Sequence, residues 1–346
     1  NISPETLIEP EDYTQEMRDV LMQGVSVDKL LSKQVDTSKL EGVALTPNGQ
    51  FFKTNVRGFL PQMMDDMYND RKKFKKLMLK AEQDYENEKD EVKKKEIDKI
   101  VSRYNNLQLA KKLSLNSAYG ALGSQYFRFY DLRLALAVTL SGQLSIRWMA
   151  NKLNEFMNKT LKTNKKDYVI AIDTDSIYLS LEDLVEKTCE GKTTEQKIKY
   201  MDKICEDVFQ PFIDKGYQEL ADYVNAFSQK MQMKREVLAD KGIWTAKKRY
   251  ILNVHNSEGV QFAEPKIKVM GLEMVKSSTP QVIRDKLKSS IKVILDGDQK
   301  KLHKFIEEFR NEFNQLSVED IAFPRSVNGT REYAASSTIY RKSTPI

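Results

Sequence analysis

Asp173, Thr174 and Asp175 stand between two runs of strand-forming residues, Val169 to Ile172 and Ile177 to Leu179. Asp and Thr suit a tight turn, so Tyr168 to Ser180 reads as a β-hairpin with carboxylates at its tip. Residues two apart on a strand share a face, which projects Asp173 and Asp175 together. Carboxylates that close repel unless a cation sits between them. Hard divalent cations such as Mg²⁺ take oxygen ligands, often one or two carboxylates plus substrate phosphates. The chemistry on offer is metal-dependent phosphoryl or nucleotidyl transfer. A plain polar hairpin tip uses the same residue types, so both readings stand open on this stretch alone.

Two sets of cations could serve such chemistry. Arg71 and Lys75 are four apart, on one helical face; Lys112, Asn116 and Tyr119 fall at i, i+4 and i+7, also on one face. If the two faces look into one groove, three cations converge with an amide and an aromatic ring. Cations bind a triphosphate, and the ring can stack on a base. The second set is Lys247, Lys248 and Arg249, consecutive in a strand-like region. It suits a nucleic-acid backbone or groove, or serves as an edge-strand guard against aggregation.

These residues need elements to hold them. Neither Gly nor Pro occurs between Gln62 and Tyr119. Apolar residues recur there at helical spacing (Phe74, Leu77, Met78, Ala81, then Ile97, Ile100, Val101, Tyr104), which predicts two long antiparallel helices with Glu86 to Asp90 at the tip. From Arg71 to Lys112 there are 14 Lys and Arg against 8 Asp and Glu, a surplus equal to the +6 of the whole chain. Most of that charge fits a solvated amphipathic face. A more apolar helix follows over roughly 132–161, and helices around Pro211 fill 182–235. Thr46 to Gly49 is a turn before a strand at 50–53. Asp240, Lys241 and Gly242 read as a turn between strands. Thr279 is placed as N-cap with Pro280 at the first position of a helix through Leu295, and a last helix spans 299–316 with Phe305, Phe309 and Phe313 as core anchors. The final thirty residues, with Pro324, Gly329 and Pro345, read as irregular.

Composition sets outer bounds. The 346 residues suffice for two or three core-bearing units. A pI near 8.9 is compatible with a polyanionic partner. Cys189 and Cys205 match no metal spacing and point to a reducing compartment; His255 and His303, far apart, weigh against a histidine zinc site. No apolar run approaches a membrane span, so no membrane partner is expected. Residue 1 is Asn rather than Met, which points to a longer reading frame.

Three separated elements stand in fixed order: KKLSLNSAYGALG from Lys111, DTDSIYLS from Asp173 and WTAKKRY from Trp244. Together they resemble family B DNA polymerases of the T4-like bacteriophage replicative type. The first is similar to the fingers-helix motif B, the second to motif C of the palm, the third to the KKRY-type motif that holds primer–template duplex. KIKVMGLEMVKSSTP resembles the passage from palm to thumb, and NISPETL the segment just after motif A. The resemblance covers essentially the whole chain. It implies an α+β fold of right-hand architecture, with an antiparallel palm sheet, helical-hairpin fingers and a mostly helical partial thumb. Palm would occupy 1–60 and 120–271, fingers 61–119, and a truncated thumb 272–346.

The resemblance also implies roles. Asp175 is the principal metal-binding carboxylate, with Asp173 beside it. Arg71, Lys75 and Lys112 grip the phosphates of the incoming nucleotide, Lys112 contributing to catalysis. Asn116 supports that site, and Tyr119 with Gly120 lines the nascent base pair. Thr174, Lys247, Lys248, Arg249, Tyr250 and Lys276 face DNA. The implied activity is template-directed addition of dNMP to a primer 3′-hydroxyl with two Mg²⁺ ions. Implied partners are primer–template DNA, dNTP, a sliding clamp and a single-strand-binding protein, in the host cytoplasm if phage-encoded.

Departures qualify the picture. Ile172 and Ala246 occupy positions where the family usually has Gly. Motif A, which supplies another metal carboxylate, would lie before Asn1. The chain alone is therefore expected to be inactive until a parent chain or split-gene partner supplies that piece. Two other classes compete: a DxD glycosyltransferase, which the long basic hairpin and lack of a Gly-rich first βα turn disfavour, and a non-catalytic nucleic-acid-binding protein. An RNA-templated polymerase would not pair such a carboxylate hairpin with KKRY and this motif B.

Overall fold

The computed structural model describes residues 1–295 and 297–323. It is an α+β structure, and its described residues form three small sheets. The chain divides into two units, one of Asn1–Leu238 with Asn256–Ala263, the other of Ala239–His255 with the chain from Glu264 onward.

The first unit opens with helices α1 (Gln15–Met22) and α2 (Val27–Leu31) and the hairpin β1 (Val43–Leu45) and β2 (Phe51–Lys53). Thr14 and Ser26 cap the two helices through their side chains. The expected turn at Thr46 to Gly49 closes the hairpin, in register Leu45↔Phe51. Ser3 stands at the N-cap position of a short 3₁₀ turn, Pro4–Thr6, with Pro4 first in it; its hydroxyl makes no cap bond and donates to Glu5 at 2.6 Å.

Helices α3 (Phe59–Asn87) and α4 (Glu91–Ala121) follow as the predicted antiparallel pair. Asp90 starts α4 by accepting from the amides of Val92 and Lys93. Among the described residues α4 buries no side chain, and α3 only Leu60, Met64 and Ala81. The hairpin thus rests on mutual packing and paired charge more than on a core.

Helix α5 (Leu132–Leu161) is the spine of this unit, with eleven buried residues on more than one face. One side packs with α1, α2 and β1 around Leu30, Phe51, Leu144 and Trp148. The other packs on β3 (Val169–Asp173), β4 (Ser176–Leu179) and the helices behind them through Met149, Leu153 and Met157. Helices α6 (Glu182–Thr188), α7 (Thr194–Ile204) and α8 (Gln210–Tyr223) complete the unit. A π-turn at Cys205–Phe209 joins α7 to α8. Pro211 follows it and has no amide to donate, so the irregular turn lies where the helical ladder is interrupted. Gly216 lets α8 approach α5: a Cβ there would lie 2.9 Å from Met149 Cε, and its carbonyl accepts Trp148 Nε1 at 2.9 Å. Residues 226–235, within the stretch expected as helix, are not helical.

The third sheet runs β5 (Val237–Ala246), β6 (Arg249–Ser257) and β7 (Val260–Met270) in order. Its strands correct one expectation: 240–242 is no turn but the middle of β5. Asp240 accepts from Asn253 across the pair, at 2.8 Å. In the second unit, helices α9 (Gln281–Leu295), α10 (Gln299–Phe313) and α11 (Val318–Ile321) follow. Ile251, Met274 and Ile291 form the core there, with Ile267, Leu287 and Leu295 against it. α9 begins at Gln281 rather than Pro280, and Phe305, Phe309 and Phe313 are half-buried rather than core. Phe309 and Phe313 meet edge-on at 5.9 Å. The residues read as irregular near Pro324, Gly329, Pro345 and the chain end lie outside the described residues.

Candidate functional site

The acidic turn is a two-residue reversal between β3 and β4, paired Ile172↔Ile177 and Asp173↔Ser176. Thr174 has φ +54°, and the Asp175 amide donates back to the Asp173 carbonyl at 2.6 Å, a γ-turn. Ser176 Oγ donates to the same carbonyl at 3.1 Å, and Thr174 Oγ1 donates to Asp173 Oδ1 at 3.0 Å. Strand alternation therefore does not relate the two carboxylates. Asp173 ends β3, and Asp175 lies in the turn beyond it. What brings them to one tip is the reversal itself. Asp175 is exposed, and its carboxylate makes no hydrogen bond or ion pair among the described residues. Two carboxylates and no softer donor suit a hard cation. Among the described residues no group of three or more His, Cys, Asp or Glu could hold a metal. A bound Mg²⁺ would therefore need further oxygen ligands.

Helix α5 fixes the hairpin. Asn154 Oδ1 accepts from the amides of Tyr168 and Val169, at 2.8 and 3.0 Å. The buried Tyr168 ring anchors the start of β3, with its hydroxyl 3.0 Å from Asp183 Oδ2. Lys166 pairs with the same carboxylate at 2.7 Å and, with Tyr168, holds it below its ordinary pKa. Sequence reasoning passed over Asn154; an Asn on an apolar helix one turn from the hairpin-facing residues was its only signal. Ile172 lies in β3 with ordinary strand conformation, so the residue there needs no glycine. The left-handed residue is Thr174.

On the helical hairpin, Asp70 of α3 pairs with Lys111 of α4 at 2.7 Å. Lys111 holds the Asp70 carboxyl below its usual range. This pair sets the register, bringing the turn with Arg71 abreast of the turn with Lys112. Arg71 Nε is buried without an acceptor, and Lys112 and Asn116 are exposed. A Cβ on Gly120 would meet nothing within 4 Å, so that face is open. Tyr119 is half-buried against Leu60 and Leu122, and burial, with the nearby Asp65 charge, raises its pKa. Lys75 differs from its neighbours: it is ion-paired with Glu258 in the turn between β6 and β7.

In the second unit, Lys247 and Lys248 form the turn between β5 and β6, so two of the three consecutive cations lie outside the strands. Lys247, Lys248 and Arg249 are exposed. Tyr250 is only 6% exposed, with its ring 6.4 Å from that of Trp244; it supports the turn from the core side. Lys248 has φ +62°, and Gly271 (φ +68°) packs under it, where a Cβ would fall 2.2 Å from the Lys248 carbonyl. Ala246, the other position where glycine is usual, ends β5 with ordinary strand conformation. Lys276 pairs with Glu273 at 2.8 Å, an exposed contact that another anion can displace.

The chain belongs to DNA polymerase family B, whose family model matches residues 1–338. The DNA-directed DNA polymerase of Enterobacteria phage T4 is 33% identical, over 83% of this chain and 37% of its own length. That of Escherichia phage RB69 is 35% identical with the same coverage. The DNA polymerase delta catalytic subunit of Caenorhabditis elegans is 34% identical over 38% of this chain and 11% of its own length. The chain thus spans a little over a third of the phage relatives it matches. Among the described residues no helix is long and apolar enough to cross a membrane.

Proposed function

We propose that this chain provides motif C, the fingers and the duplex-holding turn of a DNA-directed DNA polymerase. The observation that carries the reading is the Asp173–Asp175 tip. Family membership puts it in a nucleotidyl-transfer context, and the exposed Asp175 carboxylate has no competing partner within the described chain. Asp173 and Asp175 would hold Mg²⁺, which lowers the pKa of an attacking hydroxyl and offsets charge on the phosphates. Arg71, Lys75 and Lys112 bind and orient the triphosphate. Asn116 supports them, and Tyr119 with Gly120 borders the base pair. Lys247, Lys248, Arg249 and Lys276 contact the duplex backbone, with Thr174 beside the primer end. Residues 1–60 and 120–271 act as palm, 61–119 as fingers and 272–346 as part of a thumb. Work in a host cytoplasm, with a sliding clamp and a single-strand-binding protein, fits the phage relatives.

Among the described residues no third acidic ligand is grouped with the two carboxylates, and we infer that another segment completes the metal site. The test is primer extension with Mg²⁺, primed template and dNTPs, by the chain alone and mixed with a polypeptide carrying the family's motif A. Extension is expected only in the mixture and is lost on Asp175→Ala while duplex binding persists. Extension that survives Asp175→Ala, or a stable mixture that never extends, overturns the reading.

A further inference from the structure

Glu258, in the turn between β6 and β7, has no part in the chemistry above, yet it meets a residue that does. Its carboxylate pairs with the Lys75 ammonium of α3, 183 residues earlier. Two helical turns further along α3, Gln83 Oε1 accepts from the Gln261 amide at 3.2 Å. The β6–β7 turn therefore grips α3 at two points, one ionic and one polar.

The turn is the fixed side of this contact. Asn256, 2% exposed, accepts from Arg235 Nη1 at 2.6 Å and from the Gly259 amide at 3.1 Å. Arg235 is tied in turn to Asp202 of α7. The Glu258 amide donates to the Glu236 carbonyl at 2.6 Å, and Glu258 itself sits at φ +51°. Buried polar groups satisfied in this way rigidify their surroundings. Lys75, on a long flexible stem from a helix with few buried residues, is the side free to move.

We propose that Glu258 is a clasp on the fingers: it holds Lys75, and with it α3, against the β6–β7 turn until a triphosphate takes the ammonium. The proposal rests on the reading that Lys75 binds phosphate. Neither Arg71 nor Lys112 carries an ion pair among the described residues, so of the three cations only Lys75 is occupied. A polyanion arriving at Arg71 and Lys112 repels the Glu258 carboxylate and competes for Lys75 with several charged oxygens. The Lys75 and Glu258 side chains are 33% and 23% exposed. A pair that accessible shifts an equilibrium only a few-fold, which a multivalent anion overcomes.

Amide hydrogen exchange along α3 in the full chain tests this. Glu258→Gln is expected to raise exchange over residues 75–83 about threefold. Mg²⁺–dATP or tripolyphosphate should raise it equally in the unaltered chain and add nothing in Glu258→Gln. The charge swap Lys75→Glu with Glu258→Lys should restore protection yet stay silent to triphosphate. Unchanged exchange in Glu258→Gln overturns the clasp. Raised exchange there, with an unaltered chain that ignores both anions, overturns its opening by phosphate. Failure of the polymerase reading would appear in primer extension instead and leaves this comparison intact.

Discussion

Thr174 and Lys248 hold matching places in the two charged turns. Each is a non-glycine residue in a two-residue hairpin reversal, with φ of +54° and +62°. Their supports differ. The acidic turn is closed by its own side chains, Thr174 on Asp173 and Ser176 on the Asp173 carbonyl. The basic turn leans on Gly271, twenty-odd residues later, whose missing side chain leaves room for the Lys248 carbonyl. An exposed carboxylate needs a locally fixed perch if it is to meet a cation at a set distance. A cationic turn reading a phosphate backbone tolerates looser placement, because its contacts are long-ranged and sequence-independent. The two turns therefore predict different failures.

The largest expected effect separates chemistry from binding. Asp175→Ala should lower Mg²⁺-dependent extension in the completed enzyme by about a thousandfold or more, or about 4 kcal/mol of barrier. Duplex affinity should stay within about twofold, since the proposed role of Asp175 is to hold a metal and not to contact phosphate. Single-turnover kinetics beside filter binding checks this, and equal losses in both would erase the distinction between the turns.

Gly271→Ala comes next. The new methyl would meet the Lys248 carbonyl at 2.2 Å from a left-handed backbone. The expected cost is about 2 kcal/mol or more in the stability of the second unit, combining overpacking with φ strain. A urea midpoint followed by Trp244 emission measures it, and a silent substitution would mean that the turn does not rest on Gly271. Lys247→Ala probes the same turn without strain. Duplex affinity should fall evenly across sequences, and the slope of log affinity against log salt should drop by about 1. An unchanged slope would remove Lys247 from the backbone contacts.

These contrasts also mark where the sequence was legible. The helices α3, α4 and α5 were readable because long stretches carry a helical period, with neither Gly nor Pro between Gln62 and Tyr119, and Asp90 and Asp131 cap α4 and α5 locally. The acidic hairpin was readable for the same reason, since strand formers flank a turn that closes on itself. Asp240–Lys241–Gly242 misled because turn-type residues occurred in the middle of a strand, where cross-strand partners such as Asn253 decide the conformation. Tyr250 was read as facing DNA, but alternation from the exposed Arg249 turns it inward. The pairing of Lys75 with Glu258, and the seat of Lys248 on Gly271, join residues far apart in the chain. Local pattern holds no trace of either.

The smallest effect bears on the comparison most directly. A left-handed conformation costs a non-glycine residue about 1–2 kcal/mol, which glycine would recover. Glycine also enlarges the freedom of the unfolded chain, which takes back about 0.4–1 kcal/mol. For Lys248→Gly these two effects on the turn backbone together favour the substitution by about 0.5–1 kcal/mol, from which the loss of the Lys248 side chain's own interaction is subtracted. Thr174→Gly additionally loses the hydroxyl bond to Asp173, worth about 1 kcal/mol when a carboxylate accepts it at an exposed site. The two contributions should cancel, leaving the first unit within about 0.5 kcal/mol of its starting stability. Thr174→Val keeps the strain and removes the hydroxyl, so it should be destabilised by about 1 kcal/mol. Urea midpoints set the order, with Thr174→Gly level with its parent and Thr174→Val below it. If Thr174→Gly gained the full backbone contribution of about 0.5–1 kcal/mol, the side-chain closure of the acidic turn would contribute nothing, and its rigidity would have to come from the Asn154 anchor on α5 alone.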